Sequence, residues 1–471
     1  MRPSRRHPSP ALLIPLALLL LSCGRPDTTV PLEPEEPYVT RDWAPLEAVI
    51  VSPVEEYIYR SSEMGGGLPF FSVGLPPGTI REHRQMVDIL EKAGVRTLEL
   101  VDLLDSAVAH ARPEGALESW LRTAYPATAE EAVARIDELD GRSLLNLREE
   151  HFYIQDAEGD FAPLFHGLSS IYWARDWAVS TPKGIIIGDT RNGNRTLEKA
   201  YARLIFEHAE GLREIPVVLD AAEEGVTLDG GDVIVFGEGE LLVGVGSRSS
   251  REAAPLLARE LGMDVYAVAM PPGDRRTGLD RQLLHLDSMC NIVDDSVAVA
   301  VPFFLEKAFA GDNPMAVILG GIAEQMDRWR EAEDPLYRPG STDYIRTTIE
   351  AMPEVGWVTR YGAGSGEAEE LDLKLVDFLR ERGFRIVYVG GEQGELPLEQ
   401  YTLERAMYEL RWQGSNVVQL RPGEVVAYRH NVHTNRALRD AGIRVRTFEG
   451  ELLAMRNGGP HCLLMPLLRG P

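Results

Sequence analysis

Cysteine is scarce in this sequence. Its 471 residues contain three, at positions 23, 290 and 462. A disulfide-rich exported scaffold uses cysteines in larger, paired numbers, and a structural zinc site needs Cys-x-x-Cys or Cys/His spacings that do not occur here. The composition therefore excludes both, and we expect Cys290 and Cys462 to be free thiols.

Positive charge is also in short supply. Lys and Arg number 48 against 73 Asp and Glu, which gives a formal net charge of −25. Nucleic-acid binders need cationic side chains to neutralise phosphates, so the balance argues against that class. It agrees weakly with a small cationic substrate, although an acidic solvated surface explains it as well. Nothing in the composition indicates an oligomeric state.

The apolar run at the N-terminus, Ala11 to Ser22, is too short to cross a bilayer as a helix. Basic residues precede it, and Leu20-Leu21-Ser22-Cys23-Gly24 ends it. This order resembles a bacterial lipoprotein signal, with residues 1–22 as the signal peptide and Cys23 as the lipidated residue. An ordinary signal peptide with an incidental cysteine is the alternative. We expect an exported protein, anchored by lipid to a bacterial membrane on its periplasmic or outer face, and an acidic, Pro-rich tether over residues 23–40.

A strand-turn-strand-helix-strand pattern recurs along the rest of the chain. Three windows predict β-hairpins, and helix and strand patterns follow two of them directly. With a partial copy and the N-terminal strand, they give about five ββαβ-like units, which bury their faces by stacking into a ring. The predicted hairpins are Asp232–Gly246, Cys290–Pro302 and Ser415–Arg429; the predicted helices are Arg81–Ala93, 197–207, Arg251–Leu261, Leu371–Arg380 and Asn431–Ala441; the predicted strands include Leu46–Pro53, Val95–Val101 and Arg385–Val389.

This pattern predicts one α/β domain over residues 41–471. A helical insertion is expected at about 103–147. A further insertion is expected at about 304–366; its second half is polar, and it is a candidate to cover a site.

Four polar clusters stand in apolar surroundings. They are Arg175-Asp176 after Trp173, Asp229-Gly230-Gly231-Asp232, His285-Leu286-Asp287, and Cys462 after Gly458-Gly459-Pro460-His461. Taken singly, each has an ordinary structural explanation: a turn, a half-buried polar face, an isolated metal pair or a buried cysteine in the last strand. In a strand, His285 and Asp287 would share a face. No third ligand accompanies them, so we expect no metal site.

Taken together and in this order, the four clusters resemble the guanidine-modifying superfamily, and most closely the arginine deiminases. The resemblance runs from about Leu46 to the C-terminus. It implies an α/β fold of the pentein kind, a propeller of five ββαβ units with pseudo-fivefold symmetry. It also implies hydrolysis of arginine to citrulline and ammonia through a covalent thiouronium intermediate, without a cofactor.

The resemblance assigns a role to each candidate residue. Cys462 is the nucleophile, and His285 is the general acid and then the general base. Asp176 and Asp287 hold the planar guanidinium by paired charge-assisted hydrogen bonds. The expected substrate-binding residues are Asp229, Arg195, Arg248, Asn457 and Gly458.

Two positions depart from the arginine deiminase pattern. Asp229 stands where the family has Glu, and Asn457, with Arg456 beside it, stands where the family has a carboxylate-binding Arg. The expected substrate is therefore arginine or a related guanidine compound. An amidinotransferase that passes the amidino group to an amine, and a non-catalytic binding protein on this fold, are the alternatives.

Overall fold

The computed structural model describes residues 38–52, 54, 78–147, 153–155, 161–165, 168, 170–191, 195–273, 277–279, 283–335 and 337–470. The predicted signal peptide, Cys23 and nearly all of the predicted tether lie outside the described residues.

The described chain alternates short strands and helices. The strands are β1 Leu46–Val51, β2 Arg96–Glu99, β3 Tyr153–Gln155, β4 Phe161–Pro163, β5 Ala178–Thr181, β6 Gly184–Ile187, β7 Val217–Asp220, β8 Val233–Gly237, β9 Glu240–Val245, β10 Asp264–Ala269, β11 Cys290–Asp294, β12 Val297–Ala300, β13 Trp357–Tyr361, β14 Ala368–Lys374, β15 Arg385–Tyr388, β16 Val418–Arg421, β17 Glu424–Tyr428, β18 Arg444–Phe448 and β19 Leu464–Arg469. The helices are α1 Gly78–Lys92, α2 Leu100–Ala111, α3 Ala116–Ala124, α4 Ala129–Ala134, α5 Gly141–Leu144, α6 Glu198–His208, α7 Ala253–Leu261, α8 Pro314–Glu331, α9 Ser341–Ala351, α10 Leu375–Glu381, α11 Leu398–Tyr401, α12 Met407–Arg411, α13 Val432–Asp440 and α14 Glu451–Ala454.

The predicted α/β class and the predicted repeat are confirmed. Within the described residues, five sheets contain an antiparallel strand pair whose second strand is followed by a helix and a parallel third strand. In one such sheet, Val426 of β17 lies opposite Val418 of β16 and beside Arg446 of β18. The other sheets follow the orders β5-β6-β7, β8-β9-β10, β11-β12-β15 and β19-β1-β2. All three predicted hairpins are present.

Strand pairing joins the first and the last strand of the described chain. Ile50 of β1 lies opposite Met465 in the antiparallel β19, and beside Leu98 in the parallel β2. The last strand therefore completes the sheet that the first strand begins. Because Cys462 immediately precedes β19, this pairing fixes where the thiol lies.

Two sequence predictions about element boundaries are wrong. The strand predicted over Val95–Val101 ends at Glu99, because Leu100 opens α2, whose apolar face is buried. The helix predicted from Leu371 begins at Leu375, because residues 368–374 form β14 and pair with β13. In both cases sheet pairing or helix burial set a boundary that local periodicity did not show.

The two inserted stretches have regular structure. Helices α2 to α5 occupy most of residues 100–144, and Tyr201 of α6 reaches them by donating a hydrogen bond to the Leu144 carbonyl. In the later insertion α8 packs on α9, and β13 then extends the sheet of β10, with Tyr361 opposite Val265. Among the helices of the described residues, none has the length and apolarity needed to cross a membrane.

Candidate active site

A cavity of about 340 Å³ brings together residues from distant parts of the chain. Seven of the predicted site residues line it: Asp176, Arg195, Arg248, His285, Asn457, Gly458 and Cys462. Ser170, Trp173, Leu284 and Arg456 complete the wall. Asp229 and Asp287 lie behind it and contact its lining residues, as described below.

Cys462 lies in a short 3-10 turn, His461–Leu463, directly before β19. It is 6% exposed and is a free thiol, as is the buried Cys290. The Asn416 side chain holds this turn: its Oδ1 accepts hydrogen bonds from the backbone N–H groups of His461 and Cys462, at 3.0 and 3.3 Å. Because the oxygen is committed to those donors, the Asn416 Nδ2 group faces the sulfur and donates to it at 3.3 Å.

The two glycines before Cys462 allow neighbouring side chains to lie close to the backbone. Neither Gly458 nor Gly459 has a left-handed backbone, contrary to the usual role of glycine in such a turn. A Cβ on Gly458 would lie 2.2 Å from the Trp173 ring, and one on Gly459 would lie 2.2 Å from Asn416 Oδ1. The left-handed residue is Asn457, with φ of 63°, and asparagine tolerates that conformation better than most residues.

Burial raises the pKa of the Cys462 thiol well above its usual value, and the negative charges of Asp287 and Asp176 raise it further. Hydrogen bonds from the Gly459 backbone and the Asn416 side chain act in the opposite direction. Cys462 is therefore a neutral thiol at pH 7.

Asp287 lies beneath the sulfur. Its Oδ2 is 3.7 Å from Cys462 Sγ and accepts a 2.9 Å hydrogen bond from His461 Nδ1. Burial lowers the pKa of His461, and the Arg175 charge adds to this, so the ring is neutral and its Nδ1–H holds the carboxylate. Asp287 Oδ1 is buried and has no hydrogen-bond partner among the described residues.

His285 and Asp287 do not lie in a strand, so they do not share a strand face. Residues Leu286–Ser288 form a 3-10 turn, and Ser288 Oγ accepts a hydrogen bond from the His285 backbone N–H. The turn separates the two side chains: His285 lines the cavity and Asp287 lies under the thiol. The motif still places both side chains at the site, but through a turn and not through a strand.

His285 lies among three carboxylates. Its Nε2 is 3.0 Å from Asp229 Oδ2, and its Nδ1 is 3.6 Å from Asp176 Oδ1. Burial disfavours the charged ring, but the Asp176 charge, the Asp229 hydrogen bond and Asp232 outweigh it and raise the pKa of His285 to about 9. The ring is therefore an imidazolium at neutral pH. Asp229 touches His285 and does not line the cavity; its predicted substrate-binding role stays a prediction.

Asp176 is shared between a cation and the cavity. Its Oδ2 accepts a 2.5 Å hydrogen bond from Arg195, whose guanidinium also makes an ion pair with Glu198 at 2.6 Å. Its Oδ1 is buried and has no hydrogen-bond partner among the described residues. Burial opposes its charge, but His285, Arg195 and then Arg248 together lower the pKa of Asp176. Asp176 is therefore ionised, with one oxygen available to a ligand.

Two further arginines line the cavity with Arg195. Arg248 makes no hydrogen bond or ion pair with the described residues, and Arg456 contacts Tyr172. Arg195 is paired to Asp176 and Glu198 in this structure, so its predicted contact with a substrate carboxylate stays a prediction. Arg456 occupies the wall beside Asn457, whose backbone conformation suits asparagine.

Sequence reasoning did not assign roles to Asn416, His461 and Glu198. His461 is adjacent to the nucleophile, and Glu198 follows Arg195 by three positions at the start of a helix, which places the two side chains together. Both of these spacings can be read directly from the sequence. The Asn416 contact joins residues 46 positions apart and had no local signal.

The second acidic residue of the Asp-Gly-Gly-Asp motif supports the site from behind. Asp232 accepts hydrogen bonds from Ser249 Oγ at 2.6 Å and from the Leu286 backbone N–H at 3.0 Å. Burial raises the pKa of Asp232 to about 7. Among the described residues, no group of three His, Cys, Asp or Glu side chains has the spacing of a metal site.

Together, these features define an α/β protein with a buried thiol, an imidazolium and paired carboxylates in one cavity. The arginine deiminase family model matches residues 146–317 and 343–469. This chain belongs to the arginine deiminase family.

Comparison with curated relatives extends over nearly the whole chain. The arginine deiminase of Metamycoplasma arthritidis is 26% identical over 444 residues, which cover 90% of this chain and 94% of the relative. That of Rhodococcus erythropolis is 26% identical over 416 residues, which cover 83% and 86%. Among solved structures, an amidinotransferase from Microseira wollei aligns over 92% of this chain and 97% of its own, with 14% identity and a TM-score of 0.49.

Proposed function

We propose that this protein hydrolyses the guanidinium group of arginine, or of a close arginine derivative, to a ureido group and ammonia. For arginine the products are citrulline and ammonia. One observation carries the proposal: Cys462, the imidazolium of His285 and the ionised Asp176 line a single cavity, and Asp287 lies 3.7 Å from the sulfur.

The buried carboxylates match a planar cation. Asp176 Oδ1 and Asp287 Oδ1 lack hydrogen-bond partners within the described chain, although each is buried. A buried, unpaired acceptor is costly, and a guanidinium offers five N–H donors in one plane. Binding between the two acids would satisfy both oxygens and hold the guanidinium carbon next to the thiol.

The same cation provides the means to ionise Cys462. The charges of Asp176 and Asp287 raise the thiol pKa, and a bound guanidinium neutralises that effect. Substrate binding therefore lowers the thiol pKa, and the Asn416 amide hydrogen bond supports the sulfur as it becomes negative. A neutral ligand of the same shape does not produce this change.

The chemistry then proceeds in two displacements. As the guanidinium binds, the Cys462 thiol loses its proton to solvent, and the thiolate attacks the guanidinium carbon. The tetrahedral adduct then expels an amine nitrogen that takes a proton from His285 and leaves as ammonia. His285, now neutral, removes a proton from water, which attacks the thiouronium carbon. The C–S bond breaks, the remaining hydroxyl proton passes to solvent as the ureido product forms, and the thiolate is restored.

The cavity has groups that suit an amino-acid substrate. Arg248 and Arg456 line it, and either guanidinium can bind an α-carboxylate through two N–H groups. The two curated relatives named above carry the name arginine deiminase and are matched over most of their length. Both observations favour free arginine over an amine such as agmatine.

Turnover assays test this proposal. We expect purified protein to release ammonia and citrulline from arginine, with agmatine and peptidyl-arginine as weaker substrates. Cys462→Ala should lower the rate by at least about 10³-fold, while Cys290→Ala, which changes the other buried thiol, should retain activity. Transfer of the amidino group to added glycine or lysine would identify an amidinotransferase. Equal ammonia release by wild type and Cys462→Ala would contradict the proposal.

We also propose that the protein is exported and anchored to a bacterial membrane through lipid on Cys23. The support is the order of basic residues, apolar run and Leu-Leu-Ser-Cys-Gly at the N-terminus. An anchored enzyme would meet arginine or arginine derivatives outside the cytoplasm.

A further inference from the structure

A second cavity, of about 330 Å³, lies outside the candidate active site. It is formed where α8 and α9 of the later insertion face α12 and the segment that leads to His285. Its lining is mostly apolar and includes Leu283, Phe304, Met315, Met352 and Met407. We call it the apolar cavity; none of the residues that line the candidate active site lines it.

Among the described residues that line the apolar cavity, one is cationic. Arg411, the last residue of α12, lines it, and the Arg411 Nη1 atom is buried without a hydrogen-bond partner among the described residues. No ion pair with a described carboxylate involves Arg411, although this chain has 73 acidic residues. Its guanidinium carbon lies 5.8 Å from the centre of the Trp412 ring, which does not satisfy the buried N–H groups.

Small-molecule sites in proteins have this composition: an apolar lining, a volume of about 300–1,000 Å³, and a few polar groups that fix orientation. Three methionines in the lining provide a flexible, polarisable surface that adapts to an apolar ligand. The guanidinium selects for an anion, and its planar fork fits a carboxylate. A purely apolar ligand would leave the Arg411 N–H groups unsatisfied.

We propose that the apolar cavity is a second ligand site, which binds a small aliphatic monocarboxylic acid with its carboxylate on Arg411 and its chain among the apolar side chains. Such a ligand would contact Leu279 and Leu283, in the segment that leads to His285. The site is independent of the proposed turnover of arginine.

Calorimetry with octanoate and 1-octanol tests the site, because the two differ at one end only. We expect one octanoate per chain, bound at least about 10-fold more tightly than 1-octanol, since a charge-assisted hydrogen bond contributes on that order. Arg411→Gln should reduce octanoate affinity to that of 1-octanol. Leu319→Trp, which fills the cavity, should abolish binding of both.

Arg405→Gln is the matched control, since Arg405 is on the same helical segment and lines a different surface groove. It should leave octanoate binding unchanged, and melting temperatures should show that each variant is folded. The proposal is overturned if octanoate does not bind, if acid and alcohol bind equally to wild type, or if Arg411→Gln or Leu319→Trp binds octanoate as wild type does.

Discussion

Charge at the site depends on a few neighbouring side chains. His285 is held as an imidazolium by Asp176, Asp229 and Asp232, whereas the neighbouring Cys462 is held neutral by burial and by Asp287 and Asp176. The carboxylates that protonate the acid thus also suppress the nucleophile until a cation binds. This gives the resting site the proton that the departing amine needs, and it restricts activation of the thiol to cationic ligands.

The pH dependence of arginine turnover tests the assignment of His285. Its pKa is about 9, so kcat/KM should fall as pH rises through about 9, because the ring then lacks the proton for the leaving amine. Asp229→Asn weakens the hydrogen bond that favours the charged ring and should move this alkaline limb to lower pH by about one unit.

Asp295→Asn is the control for that experiment, because Asp295 lies on the surface in an ion pair with Arg41. An unshifted alkaline limb in Asp229→Asn would contradict the role given to the Asp229–His285 contact.

The raised pKa of His285 also affects the stability of the fold. The stabilising contribution of the charged ring is complete below about pH 6.5, the usual pKa of histidine, and is lost as pH rises through about 9.

Asn416 is a positioning residue. Asn416→Ala removes the donor to Cys462 Sγ and the acceptor that fixes the turn, so we expect kcat to fall about 10²-fold. The rate of thiol alkylation against pH separates this effect from a structural one. In the presence of a bound guanidine, the alkylation profile of Asn416→Ala should lie at higher pH than that of wild type, and coincident profiles would contradict the hydrogen bond's role.

The residue types of the four motifs, and their order along the sequence, predicted much of the site. Seven of the nine residues expected to act in catalysis or substrate binding line one cavity, because the motifs specify chemistry that few alternatives satisfy. The spacing of Arg195 and Glu198 indicates that their side chains can meet. The hydrogen bond from Asn416 to Cys462 was not predictable, because it depends on side-chain directions and joins residues that are distant in the sequence.

Among the structural elements, the turn before β19 is closely packed. Gly459 has no room for a side chain, since Asn416 lies against it. Gly459→Ala should therefore displace Asn416 and destabilise the fold by about 1–3 kcal/mol, with loss of activity. Gly239→Ala is the matched control, because a Cβ there meets nothing within 4 Å.

Chemical unfolding measures that difference. A free energy of unfolding lowered in Gly459→Ala and unchanged in Gly239→Ala is the expected result. Equal effects in the two variants would show that the contact with Asn416 does not constrain the turn.

The presence of a helix or strand was easier to predict than the residues at which it begins and ends. The hairpins were visible because apolar runs flank polar turns, as in the residues of β16 and β17. The end of β2 and the start of α10 were missed because Leu100 and Leu371 suit either a helix or a strand, and burial and pairing decided between them.

At the scale of the whole molecule, both ends of the described chain meet in one sheet. Arg469, near the C-terminus, is fully buried and donates hydrogen bonds to the carbonyls of Ala44 and Gln419 at 2.8 and 2.9 Å. The sequence predicted the repeat that makes such closure necessary, but not the register of β1 on β19, which depends on contacts between the two ends.

Cell fractionation tests the proposed lipid anchor on Cys23. The wild-type protein, expressed in a bacterial host, should sediment with membranes and carry a lipid mass on its N-terminal cysteine. Cys23→Ser should shift it to the soluble fraction, because a lipid chain is then absent, without changing turnover. A protein that is soluble in both forms would contradict the lipid anchor.

We predict that a covalent bond forms between Cys462 and the guanidinium carbon during turnover. Protein mixed with arginine, quenched in acid within a turnover and examined by intact and peptide mass spectrometry tests it directly. We predict an adduct on the Cys462 peptide with the mass of arginine less ammonia, absent from Cys462→Ala. Citrulline formation without any such adduct, or an adduct that maps to Cys290, would contradict it.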